Sequence, residues 1–93
     1  MRHQFLIHDA ADMVGVAVQD LIPGPATGRV QQTGETVDLE VHEDVPLGHK
    51  VALRDVASGD EVIEYGIAIG AATRDVRAGQ HVHVHNLKGQ RWA

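Results

Sequence analysis

Two stretches in the second half of the chain repeat one pattern: Arg54–Val62 reads RDVASGDEV, and Arg74–Val82 reads RDVRAGQHV. Each places an aliphatic residue three positions before a glycine and a valine three positions after it. Glycine adopts the positive φ of many tight turns, and valine is typical of strands. The pattern therefore predicts a glycine-terminated turn that leads into a strand.

Looser copies of the pattern occur at Asp20–Gly24 and at Val45–Val51. A unit used about four times indicates a compact structure of short, bent hairpins, so the expected fold class is all-β. No stretch has a sustained helical period. The best candidate for one or two helical turns is Gly70–Asp75.

The first half of the chain also reads as strands separated by turns. Apolar or alternating residues predict strands at four places, and a proline-rich turn separates the second from the third. The strands are Gln4–His8, Met13–Gln19, Gly28–Gln32 and Thr36–His42, and the turn is Ile22–Pro25. The last two strands are expected to form a β-hairpin around Thr33-Gly34.

Length and composition exclude several classes of protein. Residues 1–93 are expected to form a single domain, which is too small to enclose a catalytic cleft easily, so another chain is expected to complete any active site. The net charge of −5, without a block of Lys and Arg, argues against nucleic-acid binding. The absence of cysteine excludes a disulfide framework. With no segment long enough to span a membrane, a cytoplasmic location is the default expectation.

The run His81–Asn86 reads HVHVHN and carries three of the seven histidines. An extended strand would place all three imidazoles on one face. Aligning the two repeats sets His83 and His85 against Ile63 and Tyr65. If these two residues pack inward, the two histidines are polar replacements in packing positions, so they are favoured over His81 for chemistry. The alternative is an exposed strand whose histidines titrate near neutral pH and have no function.

His49 and Lys50 follow Gly48, the glycine of another repeat unit. Together they offer a proton-transfer group and a cation for an anionic substrate. The alternative is a solvated turn without a function.

Three motifs resemble the SAF domain of the altronate dehydratase (UxaA-type) family, which includes galactarate dehydratases and sulfolactate sulfo-lyase. They are Pro46–Gly59 (PLGHKVALRDVASG), Val62–Asp75 (VIEYGIAIGAATRD) and Gly79–Asn86 (GQHVHVHN). The resemblance implies a β-clip fold of short bent hairpins. The opening Phe5–Leu21 and the ending from Asn86 to Trp92 look closest to the small subunits of the sulfo-lyase branch.

The resemblance also implies a function. The chain looks like the small subunit of a split, metal-dependent lyase, inactive without a large subunit, that eliminates sulfite from 3-sulfolactate or water from a sugar acid such as altronate or galactarate. The cofactor implied is divalent iron or manganese. The partners expected are the large catalytic subunit and a small anionic hydroxy acid, and open strand edges also allow homo-oligomers.

The candidate site residues, whose proximity the resemblance supports, fall into two groups. His49, His83 and His85 are candidate catalytic residues, and His83 and His85 are also candidate metal ligands. The candidate substrate-binding residues are Lys50, Asn86 and Lys88. An alternative function is a stand-alone β-clip module that binds or senses a small anion.

Overall fold

The computed structural model describes residues 3–89, and over this range it contains nine strands and no helix. The strand bounds are β1 Phe5–Ile7, β2 Val14–Ala17, β3 Gly24–Val30, β4 Thr36–Val41, β5 Lys50–Ala52, β6 Glu61–Glu64, β7 Ile67–Ala72, β8 His81–Val82 and β9 Leu87–Gly89. The all-β prediction is confirmed, and the short bent strands agree with an SAF fold. No helix in residues 3–89 is long and apolar enough to cross a membrane.

The strands form two sheets. The larger has the order β4-β3-β1-β2-β5-β8, and the smaller has the order β6-β7-β9. All named pairs are antiparallel except β1 with β3, which run parallel. A β-bulge between Val62 and Ile63 bends β6. A main-chain hydrogen bond from Met13 N to the carbonyl of Ile63 connects β6 to the segment before β2, so the two sheets meet there.

Phe5 is the largest side chain of the first core cluster and is fully buried. Its ring lies across two glycines of neighbouring strands, Gly28 of β3 and Gly15 of β2. A Cβ on Gly28 would overlap the ring, and a Cβ on Gly15 would lie 2.9 Å from Cδ2 of Phe5. The glycines therefore provide the space that the only phenylalanine needs.

The sequence repeats pair two by two. The aliphatic anchors of the first two copies, Leu21 and Val45, form an isolated antiparallel bridge, and Val56 and Val76 of the other two copies form another. Each bridge has two main-chain hydrogen bonds of 2.7 to 3.0 Å. All four anchors are buried. The repeat thus yields two equivalent bridges, one for each half of the chain.

Positive-φ glycines close the turns, as the repeat predicts. In three of the four units the φ of the glycine lies between 85° and 90°, and the residue after it donates to the residue three positions earlier, which is a type II turn. These glycines are Gly48, Gly59 and Gly79. Gly24, with a φ of 132°, instead begins β3, so the predicted turn at Ile22–Pro25 ends earlier than expected.

Aspartates next to the anchors fasten each bridge. Oδ1 of Asp55 accepts a hydrogen bond from Ala78 N at 2.9 Å, and Oδ1 of Asp75 accepts one from Ser58 N at 2.9 Å. In the other bridge Asp20 accepts from Leu47 N at 2.9 Å. The equivalent donor for Asp44 would be the nitrogen of residue 23, which is a proline and has no N–H.

This asymmetry supplies a matched pair of variants. We expect Asp55→Ala to lower the free energy of unfolding by about 1 kcal/mol, because the exposed bond to Ala78 N is lost. Asp44→Ala should change it by less than about 0.5 kcal/mol. Urea unfolding of both variants measures the difference. Equal effects would contradict a role for the aspartate bond.

The structure corrects one element and confirms another. The predicted helical turns at Gly70–Asp75 are wrong, because β7 runs through Ala72 and pairs with both β6 and β9. A side chain at Gly70 would overlap the carbonyl of Lys88, so close strand packing explains this glycine. The predicted hairpin is confirmed as β3 and β4, with six paired positions.

Candidate functional site

Four histidines gather at the edge of the larger sheet, and we call His49, His81, His83 and His85 the imidazole cluster. His49 lies at the end of the Gly48 turn, one residue before β5, and β5 pairs with β8 so that Val51 faces His81. Nδ1 of His49 lies 2.8 Å from Nε2 of His81. One ring therefore donates a hydrogen bond to the other, and the tautomers decide which ring is the donor.

His83 completes the first part of the cluster. Its ring stacks on His49 at a centroid distance of 4.1 Å and lies 5.6 Å from His81. One ring nitrogen of each of these three residues lies within 4.8 Å of the others. Three imidazoles from two strand ends therefore face a common point.

The extended strand predicted over His81–Asn86 is wrong beyond Val82, because the chain turns back at His83. Asn86 is buried and causes the turn. Its Oδ1 accepts a hydrogen bond from His83 N at 2.9 Å, and its Nδ2 donates to the carbonyl of His81 at 2.8 Å. The turn carries His85 back to His81, with ring centroids 5.1 Å apart.

Glu43 adds a carboxylate to the other side of His81. Its Oε1 accepts a hydrogen bond from His81 N at 3.2 Å. Ligand atoms of Glu43, His81 and His85 all lie within 4.8 Å of one another. His81 is therefore shared by two overlapping groups, whereas His83 and His85 belong to different ones.

Burial lowers the pKa of His81 below its ordinary value of 6.5, and His49, His85 and His83 lower it further. Glu43 acts in the opposite direction. The neutral ring is thus favoured at neutral pH, and a neutral imidazole has the lone pair that a proton or a metal ion needs.

Of the candidate substrate-binding residues, Asn86 lies beside the cluster, whereas the side chains of Lys50 and Lys88 do not join it. The Asn86 amide is engaged in the turn. Lys50 points to Glu64, with Nζ 3.8 Å from Oε1. Lys88 is exposed on β9, which belongs to the other sheet. Of the site residues predicted from the sequence, the structure brings together the three histidines His49, His83 and His85.

The sequence prediction did not include Glu43, and it placed His81 behind His83 and His85, whereas the geometry puts His81 in both groups. The alignment of the two repeats treated the strands that begin at Glu61 and at His81 as equivalent, so it assigned His81 a position like that of the exposed Glu61. The signal that was available is Asn86 itself, because asparagine after a short strand favours a turn.

A second polar site lies where β1, β2 and β6 meet. The rings of His8 and Tyr65 pack in a tilted arrangement at a centroid distance of 4.1 Å. Glu64, next to Tyr65, is buried, with 8% of its side chain exposed. Tyr65 has a φ of 58°, in the left-handed region. The carboxylate of Asp12 fixes this conformation by accepting hydrogen bonds from Tyr65 N at 3.1 Å and Gly66 N at 3.3 Å.

Burial raises the pKa of Glu64 above its ordinary value of 4.5, and Lys50 acts in the opposite direction. The folded protein therefore holds this proton more tightly than the unfolded chain does. Stability consequently falls as the pH rises from below 4.5 through the folded-state pKa.

Glu64→Gln removes this pH dependence. We expect the free energy of unfolding of the variant, relative to the unsubstituted chain, to increase between about pH 4 and about pH 7. Urea unfolding across that range measures it. Glu61→Gln, at an exposed position of the same strand, is the control and should show no such trend. A constant difference for Glu64→Gln would contradict the assignment.

An all-β domain built from bent hairpins, with this histidine-rich turn, matches one family. The family model of the altronate/galactarate dehydratase SAF domain covers residues 3–90. The chain belongs to this SAF-domain family, which confirms the resemblance seen in the sequence motifs.

Individual relatives are of two kinds. The chain is 43% identical to (2R)-sulfolactate sulfo-lyase subunit alpha of Chromohalobacter salexigens over 99% of this chain and 100% of the relative. It is 48% identical to the subunit alpha of Paracoccus pantotrophus over 58% of this chain and 81% of that one. It is also 45% identical to altronate dehydratase of Escherichia coli over 91% of this chain, but it spans only 16% of that enzyme. Two of these relatives are subunits of a lyase, and the third is a dehydratase.

Proposed function

We propose that the chain is the small subunit of a two-subunit lyase that eliminates sulfite from 3-sulfolactate or water from a sugar acid. The observation that carries the proposal is the similarity to a sulfo-lyase subunit alpha along the full length of both chains. In altronate dehydratase the similar region is a small part of a long chain. A separate large subunit would take the place of the remainder.

The imidazole cluster supports a site at a boundary between subunits. His83 and His85 are exposed, and Val84 between them is 82% exposed at the tip of the turn. The turn therefore leaves both imidazoles accessible to a second chain. The large subunit would cover the turn and close the site over the histidines.

Elimination beside a carboxylate requires a base for the α-proton and an acid for the leaving group. The pair of His49 and His81 holds one proton between two ring nitrogens 2.8 Å apart. Such a pair can accept a proton on one ring and release one from the other. This chain would therefore supply proton transfer, and the large subunit would bind most of the substrate.

The donor set also fits the divalent iron or manganese that the family resemblance implies. Imidazole nitrogen and carboxylate oxygen are ligands for both metals, and His49, His81 and His83, or Glu43, His81 and His85, would hold the ion. Such an ion stabilises negative charge on a substrate oxygen. The side chain of Lys50 points to Glu64. It would therefore bind a substrate only on the side of β5 where Glu64 lies.

The function is tested by co-purifying the chain with the large subunit of a sulfo-lyase or dehydratase. Reconstituted complexes are supplied with 3-sulfolactate, altronate or galactarate, and sulfite and keto-acid release are measured. We expect turnover of one substrate by the complex and none by either subunit alone. Failure to form a complex, or equal turnover without this chain, would refute the proposal.

Single substitutions in the reconstituted complex decide which group binds the metal. If His49, His81 and His83 hold it, His83→Ala should weaken Mn²⁺ binding at least about tenfold, while His85→Ala leaves it nearly unchanged. If Glu43, His81 and His85 hold it, the two results exchange. The free Mn²⁺ concentration, read by electron paramagnetic resonance, gives the affinity.

Two further variants control this experiment. His81→Ala belongs to both groups and should weaken binding in either case. His42→Ala removes an exposed histidine outside both groups and should have no effect. Normal Mn²⁺ affinity in His81→Ala would contradict metal binding by this cluster.

A further inference from the structure

A hollow of about 190 Å³ lies on the face of β1 and β2 that is turned toward β6, and we call it the Tyr65 pocket. Its apolar wall comes from β1, β2 and the residue that follows β2: Leu6, Val16 and Val18. Its polar groups are those of His8, Gln31, Glu64 and Tyr65. The pocket shares no residue with the imidazole cluster.

One buried polar atom in this pocket lacks a partner among residues 3–89. Nδ1 of His8 is buried and makes no hydrogen bond within that range. The Glu64 carboxyl, with 8% of its side chain exposed, has its ionic partner Lys50 at 3.8 Å, which is longer than a hydrogen bond. Buried polar groups in folded proteins are nearly always bonded. A partner from outside the chain would satisfy Nδ1 of His8.

The backbone of Tyr65, at the pocket, adopts an uncommon conformation. A left-handed φ costs roughly 1 kcal/mol or more at a residue other than glycine, and such conformations concentrate at ligand sites. At Tyr65 the fully buried Asp12 enforces it through bonds to two successive N–H groups. The result is a tyrosine ring, 57% exposed, fixed beside His8 as one wall of the pocket.

These groups together specify the chemistry of a ligand. A hydroxyl group both donates and accepts, so it can satisfy His8 Nδ1 and the Glu64 carboxyl at once. The ammonium of Lys50, next to Glu64, attracts a carboxylate. The valine and leucine wall and the tyrosine ring accommodate a short carbon chain. The volume limits the ligand to a small molecule.

We propose that the Tyr65 pocket binds a small hydroxycarboxylate, with the carboxylate beside Lys50 and a hydroxyl between Nδ1 of His8 and the Glu64 carboxyl. The lining of the pocket shares no residue with the imidazole cluster. The inference therefore holds whether or not the chain is a lyase subunit.

The test titrates the isolated chain, labelled with ¹⁵N, with glycerate and follows backbone and histidine-ring resonances. Propionate, which lacks the hydroxyls, and glycerol, which lacks the carboxylate, are the matched probes. We expect saturable shifts at His8, Glu64 and Tyr65 with glycerate, and binding at least about tenfold weaker for each of the other two probes. Equal affinity for the three probes, or no saturation by about 50 mM glycerate, overturns the proposal.

Variants locate the binding. His8→Ala and Glu64→Gln should each weaken glycerate binding at least about tenfold. Tyr65→Gly keeps the fold, because glycine readily adopts the left-handed φ, yet it removes the ring and should also weaken binding. His42→Ala, at an exposed position outside both the pocket and the imidazole cluster, should bind glycerate normally. Unchanged affinity in Tyr65→Gly together with His8→Ala would refute the site, and the spectra of all variants report whether they are folded.

Discussion

Gly28→Ala is expected to destabilise the chain by at least about 3 kcal/mol, because the added methyl group overlaps the ring of Phe5. Phe5 is fully buried between two strands, so neither the ring nor the backbone of β3 has space to move. Stability of a domain this small is typically about 5 kcal/mol, so the variant should be largely unfolded at 37 °C. Circular dichroism with urea unfolding measures the loss.

Two further variants isolate the cause of this loss. Gly59→Ala makes the same chemical change where no atom lies within 4 Å, so only its positive φ matters, and it should cost about 1 kcal/mol. Phe5→Leu replaces the ring with a smaller side chain. In the Gly28→Ala background it should restore part of the lost stability, so the double-mutant cycle should give a coupling energy of about 1 kcal/mol or more. Additive effects of Phe5→Leu and Gly28→Ala would contradict the overlap.

Asp12→Ala should cost about 3 to 5 kcal/mol, because a fully buried carboxylate that accepts three main-chain hydrogen bonds is removed. The donors are the N–H groups of Asp9, Tyr65 and Gly66, and they join the β1–β2 turn to the β6–β7 turn. Without the acceptor these partly buried hydrogen bonds are lost, and Tyr65 loses the contact that fixes its φ. Thermal and urea unfolding measure the effect.

Asp9→Ala is the matched control for Asp12→Ala, because it removes an aspartate from the same turn. The Asp9 carboxylate accepts one exposed hydrogen bond, from Ala11 N, so the loss should stay near 1 kcal/mol. Asp12→Asn, which retains one acceptor oxygen, should fall between the two. Equal stability of Asp9→Ala and Asp12→Ala would contradict the role assigned to Asp12.

Local chemistry made much of the fold predictable. Glycine at a fixed distance from an aliphatic anchor sets a turn through its positive φ, which is a property of the residue itself, and Gly48, Gly59 and Gly79 behave as expected. The pairing of the four units into two bridges was not predictable. It depends on hydrogen bonds such as that from Ala78 N to Asp55, which joins residues 23 positions apart.

The candidate site was predictable only in part, for a different reason. Alternating histidines suggest an extended strand, and only the buried amide of Asn86 turns the chain after Val82. The Tyr65 pocket was missed entirely, because His8, Glu64 and Lys50 lie on three separate elements and no periodicity connects them. His8 and Glu64 are candidate ligand-binding residues because Nδ1 of His8 and the Glu64 side chain are buried. Their burial results from tertiary packing, which a single sequence does not show.

The two anchor bridges have a consequence for how the chain folds. Leu21 with Val45, and Val56 with Val76, each close a loop of roughly twenty residues, and the entropy lost on closing a loop rises only slowly with its length. We therefore expect the two halves to nucleate separately and at similar rates. The pairing of β5 with β8 lies within the second half, whereas β2 with β5 joins the halves and should form last.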